Sequence, residues 1–123
     1  MKRKILIIDD DEKHILTTRE ILENEGYEVY EHNLGFGSTN IIKEIQPDLV
    51  LLDMNMPGLS GEKLAALLKE SRYVKGVPIV FYSSNDEQSL REAVRKTGIQ
   101  GYICKGDMIS LRDRVNFYLA QIA

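Results

Sequence analysis

Three aspartates come directly after short apolar runs, where their carboxylates could take part in chemistry. Asp9 and Asp10 follow the run 5–8, and Asp53 follows the run 48–52, which is rich in Val and Leu. Taken singly, each has an ordinary explanation, since acids favour helix N-termini by roughly 0.3–1 kcal/mol and Asp53 precedes a Pro-Gly turn. If the two runs are neighbouring strands, the carboxylates crowd one site and need a cation to neutralise them. Oxygen ligands alone favour a hard ion such as Mg²⁺.

Two further polar residues stand at the ends of apolar runs. Ser83 follows the run 77–82, and Lys105 follows the run 101–104. Lys105 has an ordinary explanation as a surface ammonium, but behind a buried strand we expect it to pair with the carboxylates or with a phosphoryl oxygen. Ser83 suits a turn, and its hydroxyl could equally donate a hydrogen bond to an added phosphoryl group. Both explanations of Ser83 stay open at this point.

These apolar runs alternate with helical patterns along the whole chain. Continuous apolar runs are typical of parallel strands that are covered on both faces. The predicted strands are 5–8, 27–31, 48–52, 77–82 and 101–104. The helices are marked by Ile15, Thr18 and Leu22, by Ile41, Ile42 and Ile45, by Leu64, Leu67 and Leu68, by Leu90, Ala93 and Val94, and by a last core stripe of Met108, Leu111, Val115, Tyr118 and Ile122.

Strict alternation of strands and helices indicates an α/β fold with a parallel sheet, because parallel neighbours need a crossover helix. We expect the flavodoxin-like (βα)5 doubly wound sheet with strand order 2-1-3-4-5. In that order the switch point lies between strands one and three, and ligands bind there at the carboxyl ends of the strands. The polar residues after strands one, three, four and five should therefore meet at one edge.

Composition narrows the classes of function. The chain has 123 residues, 43% of them hydrophobic and 28% charged, which fits one globular domain over 1–123. A net charge of −3 predicts no direct binding to nucleic acid or to a membrane. The basic residues 2–4 are typical of the start of a signal peptide, but only the apolar run 5–8 follows them, which is too short for secretion. No run approaches the ~20 apolar residues that cross a bilayer. We therefore expect a cytoplasmic protein.

The remaining residues with reactive side chains predict little chemistry. Cys104 is the single cysteine and lies in an apolar stretch, which predicts a buried, inert thiol and no intramolecular disulfide. His14 and His32 are isolated in sequence and are interpreted as solvated surface residues, so no zinc site is expected. Tyr102 lies inside the last predicted strand and is by default a core aromatic.

Several segments carry a resemblance when they are taken in order. The stretch 7–10 ends in Asp9 and Asp10, the stretch 51–58 carries Asp53 and is followed by Gly61, the stretch 78–84 ends in two serines, and the stretch 101–105 ends in Lys105. Together they resemble response-regulator receiver domains of two-component signalling, the CheY-like family. The resemblance covers nearly the whole chain, and each motif falls on a predicted strand end.

The resemblance implies a phosphorylation site. Asp53 would be the phosphoacceptor and would take a phosphoryl group from a sensor histidine kinase or a histidine phosphotransfer protein. Mg²⁺, with Mn²⁺ as a substitute, would be held by Asp10, by Asp53 and by the backbone carbonyl of Asn55, with Asp9 acting through a water. Lys105 would contact the phosphoryl oxygens.

The resemblance also implies a switch. Ser83 would draw its loop toward the phosphoryl group, and Tyr102 would turn inward into the space that this movement leaves. The face formed by helix four, strand five and helix five would then change and control a downstream protein or output domain. The side chains of Asn55 and Asn85 would flank the path of the water that later hydrolyses the acyl phosphate.

Two residues depart from the usual pattern of that family. Gly106 stands where the family usually has a proline after the lysine, and the following stretch looks one residue shorter. A cis bond before a residue other than proline costs ~2.5–4 kcal/mol, so we expect a trans Lys105–Gly106 bond. Ser84 stands where a small alanine is common, and its hydroxyl would change the hydration of the site.

Other functions are weighed against a receiver. A haloacid-dehalogenase-like phosphohydrolase also uses an Asp nucleophile with Mg²⁺, but it needs Asp-x-Asp, and here the second position is Asn55. A pseudo-receiver that only binds partners would not need the complete set of acids, serine and lysine. A flavin-binding flavodoxin would need hydroxyls and glycines where this chain has acids. The downstream partner stays open, and a dimer of the winged-helix regulator type is less expected because strand five, which begins Gly101-Tyr102, lacks an acid pair.

Overall fold

The structure is a computed structural model that describes residues 2–33, 36–56 and 58–121. Strands and helices alternate along these residues. The strands are β1 (Lys4–Ile8), β2 (Glu28–His32), β3 (Leu49–Leu52), β4 (Ile79–Ser83) and β5 (Gly101–Cys104). The helices are α1 (Glu12–Asn24), α2 (Ser38–Ile45), α3 (Gly61–Glu70), α4 (Glu87–Thr97) and α5 (Met108–Ala120).

The strands form one parallel sheet in the order β2-β1-β3-β4-β5. This confirms the predicted flavodoxin-like fold. Ile8 of β1 lies opposite Leu52 of β3, so the residues that follow these strands leave the sheet side by side. Ser83 lies opposite Cys104 in the pair of β4 and β5, which brings those two strand ends to the same edge.

Alternate strand residues enter two apolar cores, one on each face of the sheet. Ile5 and Ile7 belong to the core beneath α1 and α5, and Leu6 and Ile8 belong to the core beneath α2, α3 and α4. All four side chains are at most 1% exposed. Because both faces are covered, the inner strands β1, β3 and β4 are nearly continuous apolar runs.

Some details of the sequence prediction are corrected. The strand bounds shift by one or two residues, so that Ser83 is the last residue of β4 and does not follow it. Met108, predicted to lie in the core stripe of the last helix, is 48% exposed because it is the first residue of α5 and lies beyond the edge of the core. Leu67 lies in α3 as predicted but is 56% exposed. Ile122 of the predicted stripe and Pro57 of the predicted turn lie outside the described residues.

The end of the sheet at β5 also differs from expectation. Cys104 is only half-buried, because β5 is an edge strand in which buried and partly exposed residues alternate. No peptide bond among the described residues is cis, which confirms the trans Lys105–Gly106 bond. Gly106 has φ +99°, and a Cβ there would have no atom within 4 Å, so the backbone angle rather than crowding favours glycine.

Within the described ranges, no helix is long and apolar enough to span a membrane.

Candidate functional site

Asp53 begins the loop after β3, and its backbone is fixed on both sides. Its N–H donates to the Ile8 carbonyl at 2.9 Å, which extends the pairing of β1 and β3 by one residue. On the other side, Gly61 N–H donates to the Met54 carbonyl at 3.0 Å. A Cβ on Gly61 would lie 2.5 Å from both the Asp53 carbonyl oxygen and Met54 Cα, and these are backbone atoms that cannot move aside cheaply. Gly61 therefore allows α3 to start directly against the Asp53 backbone.

Asp9 and Asp10 follow β1, as predicted, but neither caps the next helix. The N-cap of α1 is Asp11, whose side chain accepts from the N–H groups of Lys13 and His14. Asp9 is 1% exposed, and its Oδ1 accepts from the Asp11 N–H at 3.0 Å. Asp10 is exposed. Because Asp11 satisfies the helix end, the carboxylates of Asp9 and Asp10 remain for the sheet edge.

Lys105 reaches the acidic cluster from β5. Its N–H donates to the Ser83 carbonyl at 2.9 Å, which fixes the start of its loop. Its Nζ lies 2.8 Å from Asp9 Oδ2 and 3.7 Å from Asp53 Oδ1, and the lysine side chain is 7% exposed. Asp9 Oδ2 is buried and has no hydrogen-bonding partner besides this ionic contact among the described residues. The lysine thus lies closer to Asp9 than to Asp53.

The charges at this edge are only partly balanced. One ligand oxygen each from Asp9, Asp10 and Asp53 lies within 4.8 Å of the others. Burial raises the pKa of the Asp53 carboxyl above its usual value. The Lys105 ammonium and the Asn55 N–H work against that rise, while the charges of the other two aspartates add to it. One buried ammonium faces three carboxylates, so added positive charge would be favourable here.

The donor set fits a hard divalent cation. All three clustered groups offer oxygen, and one of their oxygens, Asp9 Oδ2, is buried with an ammonium as its sole partner among the described residues. Mg²⁺ takes one or two protein carboxylates and fills its remaining positions with water or phosphate oxygens. Asp10, exposed beside two buried acids, leaves that side of the cluster open to solvent.

Ser83 and two asparagines line the edge beside Asp53. Ser83 is fully buried, and its hydroxyl oxygen accepts from the Asn85 N–H at 3.2 Å and from Asn55 Nδ2 at 3.4 Å. Asn55 Nδ2 also donates to Asn85 Oδ1 at 2.8 Å, and the Asn55 N–H donates to Asp53 Oδ1 at 3.3 Å. The loops after β3 and β4 are therefore joined by side-chain amides. The sequence suggested that both asparagines lie near the site but gave no sign that they contact each other.

Tyr102 lies apart from the acidic cluster. Its ring is partly buried, and its hydroxyl is at the surface, where it donates to Glu87 Oε1 at 2.6 Å and accepts from Arg91 Nε at 3.2 Å. The expectation of a core aromatic is therefore only partly right. Sequence reasoning missed Glu87 and Arg91, which it had no reason to distinguish from other charged residues of a solvated helix.

The two histidines are not brought together. His14 Nε2, in the first turn of α1, lies 3.4 Å from Asp11 Oδ2, and His32 Nε2 lies 2.8 Å from the Phe36 carbonyl oxygen. Neither belongs to the cluster of carboxylates.

Sequence reasoning also missed a buried hydrogen bond, from the Thr18 hydroxyl to the Tyr82 hydroxyl at 3.1 Å. The ring of Tyr82 lies beside Lys105, whose Nζ is 5.6 Å from the ring centroid.

Similarity to known proteins agrees with this geometry. A family model described as the response regulator receiver domain matches residues 5–116. The polar-differentiation response regulator DivK of Brucella ovis is 27% identical over 105 residues, which is 85% of this chain and 85% of that protein.

Solved structures give the same fold. A provisionally assigned response regulator from Chloroflexus aurantiacus superposes with a TM-score of 0.90 at 26% identity, covering 98% of this chain and 100% of that chain. The receiver domain of sensor histidine kinase PA1611 from Pseudomonas aeruginosa superposes with a TM-score of 0.86 at 20% identity, covering 98% and 100%. That structure has a magnesium ion coordinated in its active-site cleft.

Proposed function

The chain belongs to the response regulator receiver domain family, and from that membership we propose that it is a phosphorylation switch whose phosphoacceptor is Asp53. The observation that carries the proposal is the Asp53 carboxylate itself, 7% exposed, beside two other carboxylates and a buried lysine. Receiver domains exchange phosphoryl groups with kinases and act on output partners. We extend this to 1–123 as one receiver domain that acts in the cytoplasm.

A divalent ion would complete the site. Asp10, Asp53 and the backbone carbonyl of Asn55 would hold Mg²⁺, or Mn²⁺ in its place, and Asp9 would support it through a water. The bound ion would supply positive charge that offsets the negative charge of the carboxylates and of the transferring phosphoryl group. The close spacing of the three carboxylates supports this assignment.

The chain's own residues would then carry out the transfer. A carboxylate oxygen of Asp53 attacks the phosphorus of a phosphohistidine on a sensor kinase or a phosphotransfer protein. The new P–O bond forms as the P–N bond breaks, and the departing imidazole nitrogen keeps the electron pair and takes a proton. Lys105 moves its pairing from the carboxylates to the phosphoryl oxygens, a change of a few ångströms for a side chain already 3.7 Å from Asp53. Such stabilisation of developing charge is the main catalytic term in phosphoryl transfer.

Ser83 and Tyr102 would change position in response to the added phosphoryl group. Ser83 would donate its hydroxyl hydrogen to a phosphoryl oxygen, give up its contact with Asn55 and keep the bond from the Asn85 N–H, and this would draw the start of α4 toward the site. Tyr102 would leave the surface and turn inward, changing the face formed by α4, β5 and α5. An ordering switch driven by an added anion fits these contacts.

Phosphorylation of Asp53 is tested by intact mass after incubation with Mg²⁺ and a small acyl phosphate. We expect one phosphoryl adduct on the wild type, none on Asp53→Asn, and an unchanged adduct on Asp113→Asn, which removes an exposed carboxylate of α5. An adduct that persists in Asp53→Asn would place the acceptor elsewhere. No adduct on the wild type would favour a pseudo-receiver, and release of many equivalents of phosphate from small esters would favour a phosphohydrolase.

The metal assignment is tested by Mg²⁺-dependent thermal stability. Mg²⁺ that binds only the folded chain stabilises it by about 2.7 kcal/mol at 100 times its dissociation constant. We expect Asp10→Asn to remove most of this gain and to leave the metal-free melting temperature little changed, because Asp10 is exposed. Asp113→Asn should keep the full Mg²⁺ effect. Equal stabilisation of wild type and Asp10→Asn would refute the assignment.

A further inference from the structure

Tyr102 is held at the surface by a closed triangle of side chains. We propose that Glu87 and Arg91 form a latch that keeps Tyr102 outward and so determines how far the unphosphorylated switch rests on its inactive side. The latch consists of Glu87, Arg91 and Tyr102. The inference rests on the proposed function, because it takes Tyr102 as the side chain that turns inward.

Each member of the latch contacts the other two. The Tyr102 hydroxyl donates to Glu87 Oε1 at 2.6 Å, Arg91 Nε donates to the hydroxyl at 3.2 Å, and Arg91 Nη2 donates to Glu87 Oε1 at 2.8 Å. The hydrogen bond from the tyrosine is the main cause that holds the pKa of Glu87 below its usual value, and the charge of Arg91 adds to it. The hydroxyl thus bonds to both members of an ion pair, and such charge-assisted hydrogen bonds are stronger than neutral ones.

The backbone of Tyr102 is held by other residues. Its N–H donates to the Tyr118 hydroxyl at 3.2 Å, and its carbonyl accepts from Arg114 Nη2, also at 3.2 Å. These two contacts fix the exposed side of the edge strand β5 independently of the latch. A change at Glu87 or Arg91 can therefore release the tyrosine ring without moving the strand.

The Arg114 guanidinium also lies near the tyrosine ring, 5.7 Å from its centroid. Arg114 is hydrogen-bonded to the Tyr102 carbonyl and to the Tyr118 hydroxyl, and neither of these bonds depends on the Tyr102 side chain. It favours the outward ring through a cation–π contact, and its charge also acts on Glu87, but its hydrogen bonds go to β5 and α5 and not to α4.

The latch is linked to that segment through Glu87. This residue begins α4 and follows Ser83 by only four positions, with Ser84, Asn85 and the N-cap Asp86 in between. The Asn85 N–H is bonded to the Ser83 hydroxyl, and the Asp86 side chain accepts from the Ser89 N–H. A movement of Ser83 toward a phosphoryl group would therefore carry the start of α4 with it and pull Glu87 away from the tyrosine.

Exposure makes the latch easy to open. The side chains of Glu87 and Arg91 are 55% and 68% exposed, so water and salt weaken their attraction. A weak contact suits this role, because a phosphoryl group can only overcome a bias smaller than its own preference for the active state. By reciprocity, whatever the latch adds to the inactive state must be lost from the affinity for a phosphoryl mimic.

The position of the tyrosine is tested first without any phosphoryl group. The full chain is labelled with 3-fluorotyrosine, and the ¹⁹F resonance of Tyr102 is assigned by its loss in Tyr102→Phe. Glu87→Ala and Arg91→Ala should each shift this resonance. Glu92→Ala should not, because it breaks a similar exposed pair on the same helix, Arg95 to Glu92 at 2.7 Å, that does not touch Tyr102. A Tyr102 resonance that is unchanged in both latch variants overturns the latch.

The link to the switch is tested with beryllofluoride and Mg²⁺ as a phosphoryl mimic. Glu87→Ala should bind the mimic about two- to fivefold more tightly than wild type or Glu92→Ala. In a Tyr102→Phe background the same change should have no effect, because no hydroxyl is left to hold. Equal affinity of wild type and Glu87→Ala overturns the proposed bias. Failure of the wild type to take the mimic or an acyl phosphate, with the ¹⁹F shift still present, would instead count against the proposed function and support the latch as a hold on the ring.

Discussion

The acidic cluster and the Tyr102 latch are two charged regions of one small protein, and they are built in opposite ways. In the cluster, Asp9 and Asp53 are nearly inaccessible and share one ammonium from Lys105. In the latch, the side chains of Glu87 and Arg91 are more than half exposed and fully paired with each other and with a hydroxyl. One region is buried and has too little positive charge, and the other is open and balanced.

This difference matters because burial multiplies the energy of a charge. The effective dielectric constant inside a protein is several times lower than in water, so charges interact more strongly there. Each buried carboxylate without a compensating positive charge therefore destabilises the folded chain. The excess negative charge of the cluster is offset only when a cation binds or when Lys105 moves closer to Asp53. The latch has no excess charge, and breaking its contacts changes the free energy of the chain only slightly. The cluster is therefore suited to receiving a charged group, and the latch to reporting its arrival.

The largest effect is expected from Lys105→Ala in the absence of divalent ions. Removing the buried ammonium that contacts both acids leaves Asp9 and Asp53 uncompensated, and breaking a buried pair in this way costs about 3 kcal/mol. Urea unfolding at pH 7 measures the loss, with Lys96→Ala as an exposed control on α4. Because burial already raises the pKa of Asp53, that carboxyl can take up a proton instead, and the loss should shrink as the pH is lowered.

Mg²⁺ sharpens the same experiment. An ion in the cluster replaces part of the missing charge, so Mg²⁺ should restore much of the stability of Lys105→Ala and should not affect Lys96→Ala any differently from wild type. If Lys105→Ala is as stable as wild type without Mg²⁺, the cluster is not short of positive charge, and the contrast with the latch fails.

A smaller effect of opposite sign is expected from Asp53→Asn. Burial raises the pKa of Asp53 in the folded chain above its unfolded value. The ionised carboxylate is therefore destabilising: its cost is absent below the unfolded pKa and is fully present once the pH has passed the folded pKa. At pH 7 and without divalent ions, Asp53→Asn should stabilise the chain by on the order of 1 kcal/mol, a usual size for one substitution.

The pH profile of that gain is the measurement that matters. Urea midpoints of wild type and Asp53→Asn should come together as the pH falls below the unfolded pKa and separate as it rises. The exposed control Asp113→Asn should show no such separation. A gain that is largest in acid would contradict the assigned direction of the Asp53 pKa.

Much of the fold and of the site follows from the sequence because parallel strands leave few choices. Once β1, β3, β4 and β5 are recognised as buried runs, their carboxyl ends must meet at one edge, and the polar residues there come together. Asp9, Asp53, Ser83 and Lys105 lie at that edge as their positions indicated. The apolar runs and their alternation with helices predicted the parallel sheet, and the resemblance to receiver domains supported the order of its strands.

What the sequence did not show depends on single residues and on side-chain reach. Three successive acids precede α1, and only the structure shows that the third, Asp11, is its N-cap. The spacing of the apolar residues predicted which face of α5 packs against the sheet, but not how much of the length of that face is covered. Met108 was therefore wrongly predicted to lie in the core. The contact between Glu87 and Tyr102 joins residues 15 positions apart on different elements, and no local pattern marks such a pair.

The smallest effect is expected from Glu87→Ala on the free energy of unfolding. Glu87 and Arg91 are exposed, and exposed ion pairs contribute little to stability because water screens them and the side chains lose freedom. The urea midpoint of Glu87→Ala should therefore match that of Glu92→Ala and stay close to wild type, even though only Glu87→Ala changes the affinity for a phosphoryl mimic. A clear drop in the midpoint of Glu87→Ala alone would mean that the latch supports the fold. Its effect on the switch could then follow from a loosened α4 and not from the release of Tyr102.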